Sequence, residues 1–327
     1  MLASMIPLTR LAWAALLIAG VGTDDDPLAR APGTTFRVLS WNINRVAHVA
    51  HQSDFRTMMR AIDPDVLLLS EVAETTSVAD VYAALRGLRD PTDTAWQITF
   101  GRGGGYQRGV VAARAPVTAV PELDSIPYPA DAVADLVARM SDTAAQRQMR
   151  ANLAEAVGAH GGVVRVKGRF LLAVVSDFQC CGTAGGWEEQ RRRREAAVIR
   201  DAVRAAVRRV PVDAVVLGAD LNLVTGGAPL DSLLRPIDRQ HGSFAATAPK
   251  HVAGALDWTW DGRGTPFPSS RLDYVLYSAR TLLVLRSFVF DTEDLNPEQL
   301  ARHGLGAGTS ARLSDHRPVV VDFTWVP

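Results

Sequence analysis

The residues able to do chemistry in this chain stand where apolar runs end. Asn42 and Asn44 follow the run that closes at Trp41, Glu71 follows residues 66–70, and Asp177 follows residues 170–175. Asp220 and Asn222 follow residues 215–217, Asp273 interrupts residues 272–276, and Asp315 and His316 precede residues 318–321. A strand end is a rigid mount, so several such ends can bring their polar groups together. Carboxylates that converge repel one another unless a cation or a proton lies among them. Carboxylate and amide oxygens without thiolates favour a hard cation, Mg²⁺ or Mn²⁺, over zinc. Taken singly, each residue has an ordinary structural role. An Asn after a strand forms a turn, and Asp220 with Asn222 can make an Asx-turn. Glu71 can be a solvated cap, Asp273 can pair with Arg271, and Asp315-His316 can cap the last strand.

The elements that must position these side chains are legible as apolar periodicity. Continuous or alternating apolar runs predict strands at 36–41, 66–69, 96–100, 109–113, 163–166, 170–175, 212–217, 255–260, 271–277, 282–290 and 318–325. Helical spacing marks 54–62, where Phe55, Met58, Met59 and Ile62 share a face, and also 78–88, 130–159 and 187–209. Strands outnumber helices, and several follow one another with no helix between. That order predicts mixed sheets with outer helices, not a doubly wound parallel sheet. The 327 residues are 47% apolar, enough for one large α/β domain or two small ones with a sizeable core.

Lysine plus arginine and aspartate plus glutamate number 35 each, which argues against a protein that holds nucleic acid by bulk charge alone. A nuclease remains compatible, because a bound cation supplies local positive charge. Residues 191–194 are four consecutive arginines early in a predicted helix, with Glu188, Glu189 and Glu195 close enough to pair with some of them. They read as an ion-paired or solvated face, with a phosphate-contacting patch as the sharper alternative. The two cysteines, Cys180 and Cys181, are adjacent and cannot staple distant parts of a fold; they form a strained vicinal disulfide or stay reduced. At the N-terminus, Arg10 precedes the apolar residues 11–21, and Gly20 and Gly22 precede a polar run. This is the order of a secretory signal, and the apolar run is shorter than the ~20 residues that span a bilayer. The expected organisation is a signal at 1–22, a linker at 23–34 and one domain at 35–327, with a periplasmic or secreted location.

Five segments occur together in order: Ser40-Trp41-Asn42-Ile43-Asn44; Pro64-Asp65 leading through the apolar run to Ser70-Glu71; Gly218-Ala219-Asp220-Leu221-Asn222; Arg271-Leu272-Asp273-Tyr274; and Ser314-Asp315-His316-Arg317-Pro318-Val319. This set resembles the endonuclease/exonuclease/phosphatase superfamily, which includes DNase I-like nucleases, abasic-site endonucleases, neutral sphingomyelinases and inositol-polyphosphate phosphatases. The last segment is its most specific element. The resemblance implies a four-layer α/β sandwich, two mixed β-sheets face to face with outer helices. It places Asn42, Asn44 and Glu71 at or beside a metal, with Asp315 as a metal-side carboxylate. Asp220 matches the residue that orients or deprotonates the attacking water, and Asn222 a donor to the phosphate or the nucleophile. His316 matches the histidine on the scissile phosphate, and Asp273 the carboxylate that orients it.

One position departs from much of the family. Many members carry a histidine near the end of the central strand, where this chain has Ser176-Asp177-Phe178-Gln179. A carboxylate donates a hydrogen bond only when protonated. Asp177 therefore reads as a ligand for a second cation, a protonated acid, or a cap for the following turn. The expected activity is metal-dependent phosphodiester hydrolysis by water attack on phosphorus. The substrate is a nucleic acid or another phosphodiester, with a phospholipid or a phosphomonoester as rivals. A catalytically impaired phosphate- or ligand-binding module of the same fold is the alternative from another class. The chain is read as a monomer with no obligate protein partner.

Overall fold

The computed structural model describes residues 26–327. The expected signal at 1–22 and the first residues of the expected linker lie outside the described residues. Strands form at β1 (Phe36–Arg45), β2 (Val66–Val72), β3 (Gln97–Phe100), β4 (Val110–Ala113), β5 (Val117–Ala119), β6 (Ala159–Val166) and β7 (Arg169–Asp177). They continue with β8 (Ala214–Asp220), β9 (Pro236–Asp238), β10 (Gly242–Ala246), β11 (Lys250–His251), β12 (Asp273–Ser278), β13 (Leu282–Val289) and β14 (Val319–Trp325). One seven-stranded sheet has the order β11-β13-β14-β1-β2-β4-β3, and the other β5-β6-β7-β8-β12-β10-β9. Both are mixed. β1 runs parallel to β2 and β7 parallel to β8, whereas β14 and β12 run antiparallel to their neighbours β1 and β8.

Period-two alternation explains why the sheets stack. On β1, Phe36 and Val38 face the layer between the sheets, while Leu39, Trp41 and Ile43 face outward. On β7, Leu171, Ala173 and Val175 face inward, while Leu172 and Val174 face outward. Helices cover both outer faces. Helix Gln52–Ile62 lays Phe55, Met58, Met59 and Ile62 on the first sheet, and helix Trp187–Arg209 lays Ala196, Ile199 and Val203 on the second. The architecture is the expected four-layer α/β sandwich.

Two expectations are corrected. The helix expected over 130–159 is two helices, Ala130–Ala138 and Thr143–Ala154, followed by β6. Asp142 starts the second helix, because its carboxylate accepts the Ala144 and Ala145 amide N–H groups at 2.8 and 2.9 Å. The strand expected at 163–166 forms, but it begins earlier, at Ala159. The strand expected at 255–260 does not form; only Trp260 makes isolated bridges, to Ser270 and His316. The short strands β5, β9, β10 and β11 are not signalled by apolar runs.

The described part of the expected linker packs against the domain. Leu28 is buried, and Arg37 donates to the Leu28 carbonyl at 2.7 Å and to the Ile62 carbonyl at 2.8 Å. Arg37 also makes a two-pronged bond to Asp322, with Nε to Oδ1 at 2.6 Å and Nη2 to Oδ2 at 2.8 Å. Both side chains are buried. Asp322→Ala leaves the guanidinium buried without its counter-charge, and is expected to destabilise the fold by about 3–5 kcal/mol. Urea unfolding measures this; a loss below about 1 kcal/mol, the scale of an exposed pair, would contradict it.

Candidate active site

The inward phase of the strands delivers the polar residues to one end of the layer between the sheets. On β7 the inward series Leu171, Ala173, Val175 continues to Asp177, and on β8 the series Ala214, Val216, Gly218 continues to Asp220. Asp177 stands opposite Asp220 in the parallel β7–β8 register, and Asp220 stands opposite Asp273 in the antiparallel β8–β12 register. Three carboxylates therefore line up across three neighbouring strands. From the facing sheet, Asn42 continues the series Phe36, Val38, Ser40 on β1. Gly218 permits this approach, since a Cβ there would collide with the Ser40 side chain.

Hydrogen bonds knit the two sheets together at this end. Asn42 Nδ2 donates to Glu71 Oε1 at 3.0 Å and to Asp220 Oδ2 at 3.1 Å. Glu71 adopts a left-handed φ of 51°, which breaks the alternation at the end of β2. His316 Nδ1 donates to Asp273 Oδ2 at 2.8 Å, which leaves Nε2 at 3.7 Å from Asp220 Oδ2. The Asn222 amide N–H donates to Asp220 Oδ1 at 3.0 Å, so the Asx-turn forms within the cluster. Asn222 Nδ2 donates to the Phe178 carbonyl at 3.0 Å.

Electrostatics in this cluster are dominated by burial. Asp220 is pushed up to about 7, by desolvation first and then by the Asp273 carboxylate, against the opposing pull of His316 and the Asn42 amide. Burial acts to lower His316, but the Asp273 and Asp220 carboxylates and the bond to Asp273 outweigh it and carry the imidazole up to about 10. Asp177 is 1% exposed, and neither carboxylate oxygen has a hydrogen-bond partner among the described residues. Desolvation raises its carboxyl well above the usual range, and Glu71, Asp220, Glu195 and Asp273 add to the shift. An acid raised in the folded state contributes stability below its unfolded pKa, and that stability is lost as pH rises toward the folded value. In excess chelator, Asp177→Asn is therefore expected to raise the melting temperature at about pH 8 and change it little at about pH 4. Equal shifts at both pH values, measured by thermal unfolding, would show that the charge is not the cause.

Of the residues expected in the site, Asn42, Glu71, Asp177, Asp220, Asn222, Asp273 and His316 are brought together. Asn44 lies just outside. It is exposed with a φ of 49°, and its amide N–H closes an Asx-turn by donating to Asn42 Oδ1 at 3.2 Å. Asp315 is also exposed and accepts the Trp260 indole N–H at 3.0 Å. Arg271 does not pair with Asp273; it donates to the Thr247 carbonyl at 2.6 Å.

The four arginines divide into buried and half-exposed members. Arg191 bonds Tyr128 and Glu195, and Arg192 donates to the carbonyls of Gln179 and Cys181 at 2.8 Å each. Arg193 pairs with Glu189, and Arg194 lies 3.7 Å from Asp131. The ion-paired reading holds, with more burial than a solvated face implies.

Several supporting residues carry no sequence signal of their own. Thr259 Oγ1 accepts the Asp273 amide at 2.8 Å, and Gln107 Nε2 donates to the Phe178 carbonyl at 3.0 Å. Ser314 Oγ donates to the Asn42 carbonyl at 2.8 Å and accepts the His316 amide at 3.0 Å. The Trp41 indole donates to the His316 carbonyl at 3.0 Å. Ser314 and Trp41 belong to the quoted motifs, but only proximity in the fold reveals these bonds.

The donor set fits a hard divalent cation. Among the described residues, ligand atoms of Asp220, Asp273 and His316 converge within 4.8 Å. Asp273 and His316 already satisfy each other, so the oxygens with capacity to spare are those of Glu71, Asp177 and Asp220. The orphaned Asp177 carboxylate is the sharpest indication, since a buried carboxylate needs a positive partner or a proton.

Comparison with known proteins agrees with the fold. A comparison with curated protein sequences returns no match. Among solved structures, an endonuclease/exonuclease/phosphatase from Bacteroides vulgatus is similar at TM-score 0.56 and 15% identity, covering 89% of this chain and 99% of that one. The human Nocturnin catalytic domain with bound sulfate is similar at TM-score 0.55 and 16% identity, covering 89% and 93%. TDP2 from D. rerio, complexed with a single-strand DNA product, is similar at TM-score 0.51 and 14% identity, covering 88% and 98%. At these identities the likenesses concern the fold. The model of the Endonuclease/Exonuclease/phosphatase family matches residues 39–316, a span that runs from β1 to His316, and the chain therefore belongs to that family, whose members are phosphoester hydrolases.

Proposed function

We propose that this chain is an exported phosphodiesterase, dependent on Mg²⁺ or Mn²⁺, that hydrolyses its substrate by direct attack of water on phosphorus. The observation that carries this reading is the row Asp177, Asp220, Asp273 facing Asn42 and Glu71, with His316 locked onto Asp273. Asp220, poised near neutrality, takes the proton from the attacking water. His316, held as an imidazolium with Nε2 directed toward Asp220, donates to a phosphate oxygen and stabilises the charge that develops there. Asn222 aligns the water or the phosphate. Asp273 fixes the tautomer and orientation of His316. Glu71, with Asn42 beside it and Asp177 within the same field, would hold the cation. When bound, such an ion neutralises phosphate charge and acts as a Lewis acid.

The nucleic acid reading of the substrate draws support from the family and from the single-strand DNA product held by the D. rerio relative. Tyr106 is 51% exposed, and the next residue, Gln107, bonds the Phe178 carbonyl beside Asp177, so the reading assigns the Tyr106 ring to stack on a base. Export rests on the order of charge, apolar run and small residues in 1–22. The decisive experiment is a hydrolysis panel of plasmid DNA, RNA, sphingomyelin and a chromogenic bis-phosphodiester, each with Mg²⁺ and with chelator. Hydrolysis of a diester only with Mg²⁺ is expected. Turnover of none of the four would remove the reading.

A further inference from the structure

We propose that Cys180 and Cys181 form a reversible vicinal disulfide, made by exchange with a small-molecule disulfide, that slows hydrolysis at the adjoining site. The effect on hydrolysis rests on the phosphodiesterase reading; formation of the bond does not.

Both cysteines are free and exposed, and the Cys181 thiol donates to Cys180 Sγ at 2.9 Å. Their loop is held from both sides. The Gln179 amide donates to Glu195 Oε2 at 2.9 Å, and Arg192 Nη1 holds the Gln179 and Cys181 carbonyls at 2.8 Å each. Arg192 is itself 1% exposed, and Cys181 sits at a left-handed φ of 63°. The thiols are thus displayed as a pair on a clamped turn instead of a loose loop.

The same turn is an extension of the site. Asp177 is three residues before Cys180, and the Phe178 carbonyl between them accepts both Asn222 Nδ2 and Gln107 Nε2 at 3.0 Å. The Phe178 amide donates to the Asp220 carbonyl at 2.9 Å. A change in the peptide unit joining the cysteines therefore pulls on the segment that positions Asp177 and Asn222.

The Cys181 thiolate attacks one sulfur of the disulfide RSSR, forming a mixed disulfide and breaking the RS–SR bond; the first thiolate leaves and takes up a proton as RSH. Cys180 then loses its proton and attacks the Cys181 sulfur, closing the protein S–S bond and expelling the second RSH. The cysteine pair is oxidised by two electrons and RSSR is reduced to two RSH. Adjacent Cα atoms lie about 3.8 Å apart across a trans peptide, short of the usual disulfide span of about 4.4–6.8 Å. The closed ring is consequently strained, and strained, exposed disulfides are the readily reduced, regulatory kind.

The test starts from the fully reduced chain and adds glutathione disulfide, with intact mass, thiol titration and hydrolysis of an accepted panel substrate as readouts. Wild type is expected to lose two hydrogens without retaining glutathione. Its turnover is expected to fall by about tenfold or more, the scale of a displaced active-site group, and dithiothreitol should restore both. Cys180→Ser and Cys181→Ser should keep the reduced turnover and stop at the mixed disulfide. A wild type that ends as the mixed disulfide, as a disulfide-linked dimer or as the unchanged dithiol would overturn the proposal, as would a closed disulfide with undiminished turnover. Mass and thiol count are read without substrate, so failure of the switch and failure of the phosphodiesterase reading give different results.

Discussion

His316→Ala and Asp220→Asn are each expected to lower turnover by about a hundredfold or more, the usual loss when a positioned proton acceptor or transition-state donor is removed. In the proposed reaction the two side chains act from opposite sides. Asp220 Oδ2 stands 3.7 Å from His316 Nε2, and Asp220 also accepts from Asn42 and from the Asn222 amide. The double variant should therefore be little worse than either single one, since residues that act as a unit are not additive. Asp273→Asn should cost less, because it leaves the imidazole in place and removes only the carboxylate that orients it. A wild-type limb in kcat/KM that falls toward acid at or below about pH 7 should vanish in Asp220→Asn, because protonation of Asp220 removes the base. Steady-state kinetics on folded variants decide this. Wild-type turnover in both single variants would mean that these residues are not the reacting pair.

The fold was legible wherever apolar side chains alternate over a long enough run. On β7 and β8 the inward phase can be counted from Leu171 to Asp177 and from Ala214 to Asp220, and it places both carboxylates on one face. Helix Trp187–Arg209 was legible for the same reason, at period 3.6. The shortest edge strands were not. β9 and β11 span three and two residues, too few for any period to register. Over 130–159 the alanine content hid the boundary that Asp142 makes by capping with its side chain. At 255–260 the chain has strand-forming tryptophan and threonine, but Thr259 is used instead to hold the Asp273 and Leu272 amides. In the site, residue identities were visible as motifs while their relations were not. The reading of Asp177 as a protonated acid allowed for neighbouring carboxylates, but that both its oxygens lack a hydrogen-bond partner among the described residues is visible only in the packed structure. Tertiary proximity is not encoded in local spacing.

Glu71→Gln is expected to raise the metal concentration needed for half-maximal activity by about tenfold or more, and excess chelator is expected to abolish activity in the wild type. Glu71 is only partly buried, at the open end of the layer between the sheets, and it is the site carboxylate contributed by the sheet that also carries Asn42. Its left-handed backbone positions the carboxylate so that Oε1 accepts from Asn42 Nδ2, which reaches Asp220 with the same amide. Glutamine preserves size and one carbonyl oxygen but removes the charge, so the fold should survive while attraction for a divalent cation weakens. Calorimetric titration with Mn²⁺ separates a binding defect from a chemical one. If Glu71 is a ligand, Mn²⁺ affinity falls in parallel with activity, and saturating metal restores much of the turnover. Binding also adds stability in proportion to the logarithm of metal over dissociation constant, so Mn²⁺ should raise the wild-type melting temperature more than that of Glu71→Gln at equal concentration. Full hydrolysis in excess chelator, or unchanged Mn²⁺ affinity in Glu71→Gln, would remove Glu71 from the metal site and leave Asp220 and Asp177 as the carboxylates to test next.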